Sequence, residues 1–406
     1  MKEKQYSGYS PYQYLEPEKD YKVFDMADEV QRVEPYKIPL SSEEEDLYEE
    51  IASESTFISL HEHPVVFPSN MSEIFEFNRE GREFMAYKGL SQSCLDAVFD
   101  NMMDGTSTIT SKMGWKWRDI IYDLGMRLSD LAHQDFAIHC KELDDIQRAH
   151  DEGKIAIVFS LESATMIENE VDRLDILYGL GVRSMGLVYS ESNALGSGLR
   201  EPDDGGLTVF GHQAVDRMNK LGIAIDVSHA GDKTSLDAIE YSSNPVMITH
   251  TGARSLWKSK RMKPDKVMKV CADNGGVIGI EAAPHTTITE NNPEHGIESY
   301  MEHFEYCVDL VGIDHVTFGP DTLFGDHVAL HDVFREHLSV DQAFTREDDS
   351  GESHEPEHVP YVKGMENPAE SSHNIVRWLV KNGYSREEID KVLGGNTLRV
   401  LEEVWV

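Results

Sequence analysis

The sequence predicts an α/β fold, and most specifically a (β/α)8 TIM barrel. After residue 55, short apolar and β-branched runs alternate with longer amphipathic stretches, which indicates parallel strands joined by helical crossovers. The sequence contains eight such runs, the number that the barrel requires. The alternative is a doubly wound open sheet. That fold would ordinarily carry a glycine-rich phosphate turn after an early strand, and this sequence has none there.

Each predicted strand is a short run bounded by polar or turn residues. The predicted strands are residues 56–61, 106–110, 155–160, 183–189, 222–228, 245–250, 276–281 and 315–320. The helix-like segments between them include 212-HQAVDRMNKL and 264-PDKVMKVCADNGG. In the second, Pro264 suits a first helical turn, and Gly275–Gly276 end the helix.

The chain divides into an arm and one barrel. Residues 1–55 hold seven of the 16 tyrosines and end in a helix start, SSEEEDLYEE, and we expect this arm to pack on its own subunit. Residues 56–406 form the barrel, with insertions near 64–90 and 326–360. The second insertion holds five histidines and many acids, and we expect a solvated acidic loop near the barrel mouth. The chain ends in two predicted helices split at Gly394–Gly395.

Composition narrows the class of protein. Asp and Glu number 74 against 37 Lys and Arg, a net charge of −37, which disfavours binding to nucleic acid or anionic membranes. No apolar run approaches the ~18 residues of a spanning helix, and no secretory signal is visible. The four scattered cysteines fit a reducing compartment, so we expect a cytoplasmic protein. The acidity fits either a salt-rich cytoplasm or an ordinary acidic protein.

Metal-ligating side chains recur at the ends of the predicted strands. The first strand ends in His61-Glu62-His63, and residues i and i+2 of a strand point to the same side. Four further residues lie at the ends of later strands: Glu162, His229, His250 and Asp321. Barrel active sites form at the carboxyl ends of the strands. Six nitrogen and oxygen ligands at one mouth suit zinc, in one or two ions.

Five long motifs, in order along the chain, carry a resemblance to a known family. They are 207-GLTVFGHQAVDRMNKLGIAIDVSH, 245-PVMITHTGARS, 261-RMKPDKVMKVCADNGGVIGI, 319-GPDTLFGD and 383-GYSREEIDKVLGGNTLRVLEE. From about residue 56 to 404 the sequence resembles the renal (membrane) dipeptidases, peptidase family M19 of the amidohydrolase superfamily. The resemblance implies a distorted (β/α)8 barrel with two zinc ions, and an enzyme that hydrolyses dipeptides.

The resemblance also implies a role for each site residue. His61 and His63 would bind the first zinc, and Glu162 would bridge both ions. The second zinc would be bound by His229 and His250. Asp321 would contact the first metal and act as acid and base, and Arg261 would bind the substrate carboxylate.

The sequence departs from the family pattern at two places. The dipeptidases usually carry His-x-Asp at the first strand, where this chain has His-Glu-His, with His63 in the place of the Asp. They also carry a histidine at the tip of strand four, which Tyr189 most nearly replaces; a phenol can donate a hydrogen bond to an oxyanion. Asp226 and Asp314 are candidate partners that orient the ligand imidazoles.

Three functions remain open at this point. The first is a zinc dipeptidase acting on a dipeptide with a free carboxylate. The second is a related barrel hydrolase acting on an N-acyl amino acid, a lactone or a carbon–carbon bond. The third is a non-enzymatic binding protein, which would have no need to keep six candidate ligands. A homodimer is a further possibility that the residues do not decide.

Overall fold

The described part of the chain is built around a curled sheet of parallel strands. This computed structural model describes residues 4–102, 116–338, 346–347, 353–354 and 358–405. The strands are β1 (Ile58–Val66), β2 (Phe84–Met85), β3 (Ala97–Asn101), β4 (Ala137–Cys140), β5 (Ile155–Leu161), β6 (Ser184–Gly186), β7 (Ala224–Asp226), β8 (Met247–Thr251), β9 (Val277–Ile280), β10 (Val316–Phe318), β11 (Leu323–Phe324), β12 (Arg346–Glu347) and β13 (Ser353–His354).

The main sheet follows the order β10-β9-β8-β7-β6-β5-β3-β1-β11, and every neighbouring pair in it is parallel. In addition, β2 pairs antiparallel with β1, and β4 pairs with β5. The strand β5 is buried along its whole length, as expected when a parallel strand is covered on both faces. The strands β12 and β13 form a separate hairpin.

The sheet closes where the chain leaves β10 and runs beside β1. The Asp321 amide donates to the carbonyl of His61, and the His63 amide donates to the carbonyl of Thr322, both at 2.9 Å. Further along, His63 pairs in register with Leu323 of β11. This closure gives the predicted barrel, and it brings the ends of the first and last strands together.

The strand predictions hold for seven of the eight runs, with shifted bounds. The prediction at residues 106–110 lies outside the described residues, and the strand that follows β1 in the sheet is Ala97–Asn101. The strand β4 was not predicted at all. These two strands, AVFDN and AIHC, hold few β-branched residues, so their apolar signal is weak. The two-residue strands β2, β11, β12 and β13 were not predicted either. The first strand also continues to Val66, into the predicted insertion.

Helices cover the outside of the sheet. They are α1 (Ser42–Glu54), α2 (Ile74–Glu80), α3 (Tyr87–Ser91), α4 (Trp117–Leu131), α5 (Leu143–Glu152), α6 (Arg173–Gly179), α7 (Val209–Leu221), α8 (Asp232–Tyr241), α9 (Asp265–Asp273), α10 (Ile297–Val311), α11 (His327–Leu338), α12 (Pro368–Lys381), α13 (Arg386–Asp390) and α14 (Asn396–Val404). Short 3-10 turns lie at Met71–Glu73, Thr165–Ile167 and Ile313–His315. No helix among the described residues has the length and apolar character needed to cross a membrane.

The carboxyl-terminal glycine pair lies in a helical turn, so the prediction of two helices split at Gly394–Gly395 is wrong. A π-helical turn, Lys391–Gly395, joins α13 directly to α14. A Cβ at Gly394 would lie 2.3 Å from the carbonyl oxygen of Thr56. The glycine therefore lets this turn approach the start of β1 closely, at the end of the barrel away from the strand tips.

The amino-terminal arm packs on the barrel of its own chain, as predicted. Tyr9 and Tyr12 are buried, and the Tyr9 hydroxyl and the Tyr12 amide both donate to the Asp130 carboxylate at 2.7 Å. The helix α1 begins within SSEEEDLYEE, where the sequence predicts a helix start, and its first turn carries a capping box between Ser41 and Glu44. The division of the chain into an arm of residues 1–55 and a barrel of residues 56–406 stays a prediction.

Candidate metal centre

The paired histidines of β1 face the barrel mouth together. His61 and His63 are both buried, with ring centroids 5.1 Å apart, and Glu62 between them turns to the other side. There the Glu62 carboxylate accepts the amide and the hydroxyl of Thr322, at 2.8 and 2.7 Å. Side chains alternate along the strand, so the two candidate ligand imidazoles face one side and Glu62 faces the other. There the Glu62 carboxylate binds the segment that follows β10.

Glu162 lies at the centre of the cluster, directly after β5. Its Oε1 is 2.8 Å from Nε2 of His229, 3.4 Å from Nε2 of His250 and 3.9 Å from Nε2 of His61. The backbone here is crowded, because a Cβ at Gly186 would lie 2.0 Å from the Glu162 carbonyl oxygen. One carboxylate oxygen thus faces histidines from both sides of the site.

Asp321 completes the cluster from the segment after β10. Its Oδ1 is 3.0 Å from Nε2 of His63 and 3.4 Å from Nε2 of His61. The residue has a φ of +59°, a backbone conformation that is unfavourable for residues other than glycine. The hydrogen bonds between Thr322 and Glu62 hold the chain immediately after it. This support offsets the strain and keeps the carboxylate on the histidines.

The imidazoles are oriented through their outer nitrogens. Nδ1 of His63 donates to the carbonyl of Asn101 at 2.9 Å, and the Asn101 side-chain amide contacts Nδ1 of His61. Nδ1 of His250 donates to the Thr249 hydroxyl at 2.8 Å. When Nδ1 carries the proton, Nε2 presents its lone pair, so the oxygen acceptors of His63 and His250 point Nε2 of these two candidate ligands into the cluster.

The electrostatics of the cluster fit a metal ion. Burial lowers the pKa of His61, His229 and His250, so these imidazoles are neutral at pH 7. Nε2 of His229 lies 3.0 Å from Nε2 of His250, and the buried Nε2 of His61 has no hydrogen-bond partner. These neutral nitrogens face one another and cannot all be paired by hydrogen bonds. Such a set of nitrogens is suited to binding a divalent ion such as zinc.

The six side chains form three overlapping groups whose ligand atoms lie within 4.8 Å of one another. The groups are His61 with His63 and Glu162, His61 with His250 and Asp321, and Glu162 with His229 and His250. Burial raises the pKa of Asp321, but His61 and His63 bring it well below its usual value, so the carboxylate is ionised. The site therefore combines four imidazoles, three of them neutral at pH 7, with two carboxylates.

Replacing Thr249 with valine tests the orientation of His250. The Thr249 hydroxyl accepts from His250 and donates to Asp226 at 2.8 Å, so the valine removes the acceptor of the Nδ1 proton. We expect the Thr249→Val variant to bind zinc about 10–100-fold more weakly, as measured by competition with a chromogenic chelator. Thr317→Val is the matched control, because its buried hydroxyl bonds to Val392. Equal affinity in both variants would contradict the role of Thr249.

Of the two carboxylates predicted to orient ligand imidazoles, Asp226 lies next to the cluster and Asp314 does not. Asp226 bonds to Thr249 and also accepts the amide and hydroxyl of Ser228, whose hydroxyl in turn accepts the amide of His250. Asp226 therefore lies directly behind a candidate ligand. Asp314, by contrast, forms an ion pair with Lys391 at 3.0 Å, on the turn that precedes β10. It contacts none of the candidate ligands in the described residues.

Tyr189 and Arg261 both lie at the cluster. The ring of Tyr189 stacks on His229 with centroids 4.2 Å apart, and this side chain is partly exposed. Arg261 is buried and donates to the carbonyl of His250 at 3.2 Å. Its guanidinium also forms an ion pair with the completely buried Glu281 at the end of β9. Burial raises the pKa of Glu281 to about 7, although Arg261 opposes this rise.

Sequence reasoning missed several residues around the cluster. Asn101 ends the unpredicted strand β3, so its contact with His61 and His63 was not foreseen. Glu281 ends a predicted strand, and this position at a strand end was the sequence feature that could have marked it as a site residue. The prediction of a solvated acidic loop at residues 326–360 is wrong at its start. Helix α11 begins at His327, and burial lowers the pKa of that imidazole to about 4.

Comparison with known proteins decides the family. The family model of the membrane dipeptidases, peptidase family M19, matches residues 119–336, more than half of the chain. The chain belongs to peptidase family M19. The matched range holds Glu162, His229, His250 and Asp321, whereas His61 and His63 lie before it. The chain is accordingly a hydrolase of the metallo-dipeptidase type, whose family implies a metal cofactor.

Individual relatives agree with this assignment. The dipeptidase tcpJ of Claviceps purpurea is 28% identical over 285 residues, which cover 70% of this chain and 58% of that protein. The solved structure of an amidohydrolase from Pseudomonas aeruginosa superposes with a TM-score of 0.68 at 26% identity, covering 88% of this chain and 99% of that one. A Rhodobacter sphaeroides metallopeptidase, at 19% identity and a TM-score of 0.64, shares the fold over 86% of this chain and 99% of its own.

Proposed function

We propose that this protein hydrolyses the amide bond of dipeptides, or of dipeptide-like substrates with a free carboxylate. In this proposal His61, His63, His229, His250 and Asp321 would hold two divalent ions, most simply zinc, and both ions would share Glu162. The observation that carries it is the single Glu162 oxygen within 3.9 Å of three imidazoles from different strands. A carboxylate in that position suits two ions better than one.

The residues of the site divide the work of hydrolysis. Ions bound here supply Lewis acidity toward the attacking water and the scissile carbonyl. Asp321, ionised and 3.0 Å from His63, accepts the proton of the water and then delivers it to the leaving amine. The Tyr189 hydroxyl donates to the oxyanion, and Arg261 binds the substrate carboxylate. Each of these groups lies on or next to a candidate ligand, so one small substrate can reach all of them.

Support for a dipeptide substrate comes from the relatives. The Claviceps purpurea relative is named a dipeptidase, and this chain spans 58% of its length. The Rhodobacter sphaeroides structure holds a phosphinate mimic of the dipeptide L-Ala-D-Ala. A phosphinate imitates the tetrahedral species that forms when water adds to an amide. Both facts concern those proteins, and they support the proposal only through the shared family and fold.

A second candidate is hydrolysis of another small substrate, such as an N-acyl amino acid or a lactone. One observation favours it: Arg261 is already paired with Glu281. A substrate carboxylate must therefore compete with an internal one for the same guanidinium. A lactone, which has no free carboxylate, would not meet that competition, whereas an N-acyl amino acid would meet it as a dipeptide does.

Replacing Glu281 with glutamine tests how this pair acts on substrate choice. The glutamine keeps the size of the side chain and removes the competing charge from Arg261. We expect Glu281→Gln to lower KM for L-Ala-L-Ala by about tenfold and to leave KM for L-Ala-L-Ala-amide unchanged. Glu366→Gln is the control, since Glu366 is also buried and pairs with Arg32. Equal shifts for both substrates would exclude a carboxylate site at Arg261.

A substrate panel tests the proposed function itself. The zinc-supplemented enzyme would be assayed with L,L and L,D dipeptides beside N-acyl amino acids and lactones. The proposal expects the highest kcat/KM on a dipeptide. Turnover of N-acyl amino acids or lactones with no turnover of any dipeptide would select the second candidate and end the first.

A further inference from the structure

A small cavity lies where three distant segments of the chain meet, outside the metal centre. Its volume is about 120 Å³. The arm contributes Tyr12, the last turn of α2 contributes Asn78 and Arg79, and the segment after α2 contributes Arg82. The helix α4 contributes Tyr122, Asp123, Met126 and Arg127. A cavity of this volume has room for a small ion.

Two buried donors in the cavity wall have no acceptor. Nε of Arg82 and Nδ2 of Asn78 are each buried without a hydrogen-bond partner. A buried donor left unpaired is destabilising, and such groups are rare in folded proteins. The two donors lie four residues apart, one in the last turn of α2 and one just after it, at the same cavity. An acceptor bound between them would satisfy both.

The charge of the wall also favours an anion. Three arginines line the cavity against the carboxylates of Glu83 and Asp123. Arg127 pairs with Glu83 at 3.2 Å and with Asp100, so its charge is balanced within the protein. Within the described residues, Arg79 and Arg82 form no ion pair. Two such cations are unexpected in a chain with a net charge of −37, where carboxylates outnumber basic groups two to one.

Aromatic rings hold the Arg82 guanidinium in place. It lies 5.3 Å from the ring centroid of Tyr12 and 5.7 Å from that of Tyr21. Its Nη1 contacts the sulfur of Met126 at 3.6 Å. Rings and a thioether fix the planar group without neutralising its charge. The donor is therefore preorganised, which lowers the entropy cost of binding a ligand.

We propose that this cavity binds a small tetrahedral oxyanion, of the phosphate or sulfate class. Arg82 supplies charge and Nε–H, Asn78 supplies its amide N–H, and Arg79 adds a second cation at the exposed side. The site is separate from the catalytic one and does not depend on the proposed function.

Titration of the zinc-loaded full-length protein with inorganic phosphate, by calorimetry at constant ionic strength, tests the proposal. We expect saturable binding that is weakened at least about tenfold in Arg82→Gln and in Asn78→Asp, which replaces a donor with an acceptor of the same size. Arg118→Gln is the control, because Arg118 lies on the same helix α4 with an exposed side chain paired to Asp119. It should bind phosphate as the wild type does.

Phosphate could also bind at the metal centre, and a second arm separates the two sites. The Glu162→Gln variant, depleted of metal, should retain the binding that depends on Arg82 and Asn78. Equal phosphate affinity in wild type, Arg82→Gln and Asn78→Asp would overturn the proposal. Absence of saturable binding to the wild type would also overturn it.

Discussion

Replacing Glu162 with glutamine is expected to lower kcat/KM for the best dipeptide at least about a thousandfold. The carboxylate faces three imidazoles through one oxygen. A glutamine amide is neutral and lacks the negative charge with which the carboxylate would bind two cations. Lewis acidity contributes several kcal/mol to transition-state stabilisation, and ~4 kcal/mol corresponds to about a thousandfold in rate. The metal content of the purified variant should fall together with its activity.

Two controls make this result interpretable. Glu152→Gln changes an exposed carboxylate that pairs with Lys154, and it should leave metal content and rate unchanged. Circular dichroism should give wild-type spectra for both variants, because Glu162 sits in a preformed barrel and not in its apolar core. Full activity of Glu162→Gln would refute the position of Glu162 as a bridging ligand.

Replacing Asp321 with asparagine should have the second largest effect. Its neighbours His61 and His63 keep the pKa of this carboxyl well below its usual value, so the wild-type group is a carboxylate at neutral pH. Asparagine keeps the shape and cannot accept that proton. We expect kcat to fall by about 10²–10⁴-fold, with a smaller change in KM, in steady-state assays on the same dipeptide.

The matched control for this variant is Asp314→Asn. Asp314 lies seven residues earlier and pairs with Lys391, away from the candidate ligands. Its replacement should leave kcat unchanged and cost little stability, because the ion pair is partly exposed. A kcat for Asp321→Asn within a few-fold of the wild type would show that another group transfers the proton.

The ligand cluster could be predicted from the sequence because its chemistry lies at strand ends. A buried strand such as Ile155–Leu161 is recognisable from its apolar run, and the polar residue that follows must lie at the edge of the sheet. The same logic applied to the other candidate ligands at strand ends. Parallel strands then bring these ends to one mouth, which explains why residues as distant as His61 and Asp321 were predicted to meet.

The supporting contacts could not be predicted in the same way. The pairing of Arg261 with Glu281 and the contact of Asn101 with His61 join strands through side chains, and no local pattern specifies such partners. The strand β3 was missed because Ala97–Asn101 offers only three apolar residues. Likewise, the tyrosine-rich composition of the arm did not reveal that Tyr9 and Tyr12 would share Asp130 as a buried acceptor.

The central claim is that this cluster binds two metal ions and uses them to hydrolyse a dipeptide. The most direct measurement is the rate of dipeptide hydrolysis by chelator-treated, metal-free protein as zinc is added back in known ratio to the chain. The account predicts negligible activity without zinc and a rise that stops at two zinc ions per chain. Full turnover by the metal-free protein would contradict it.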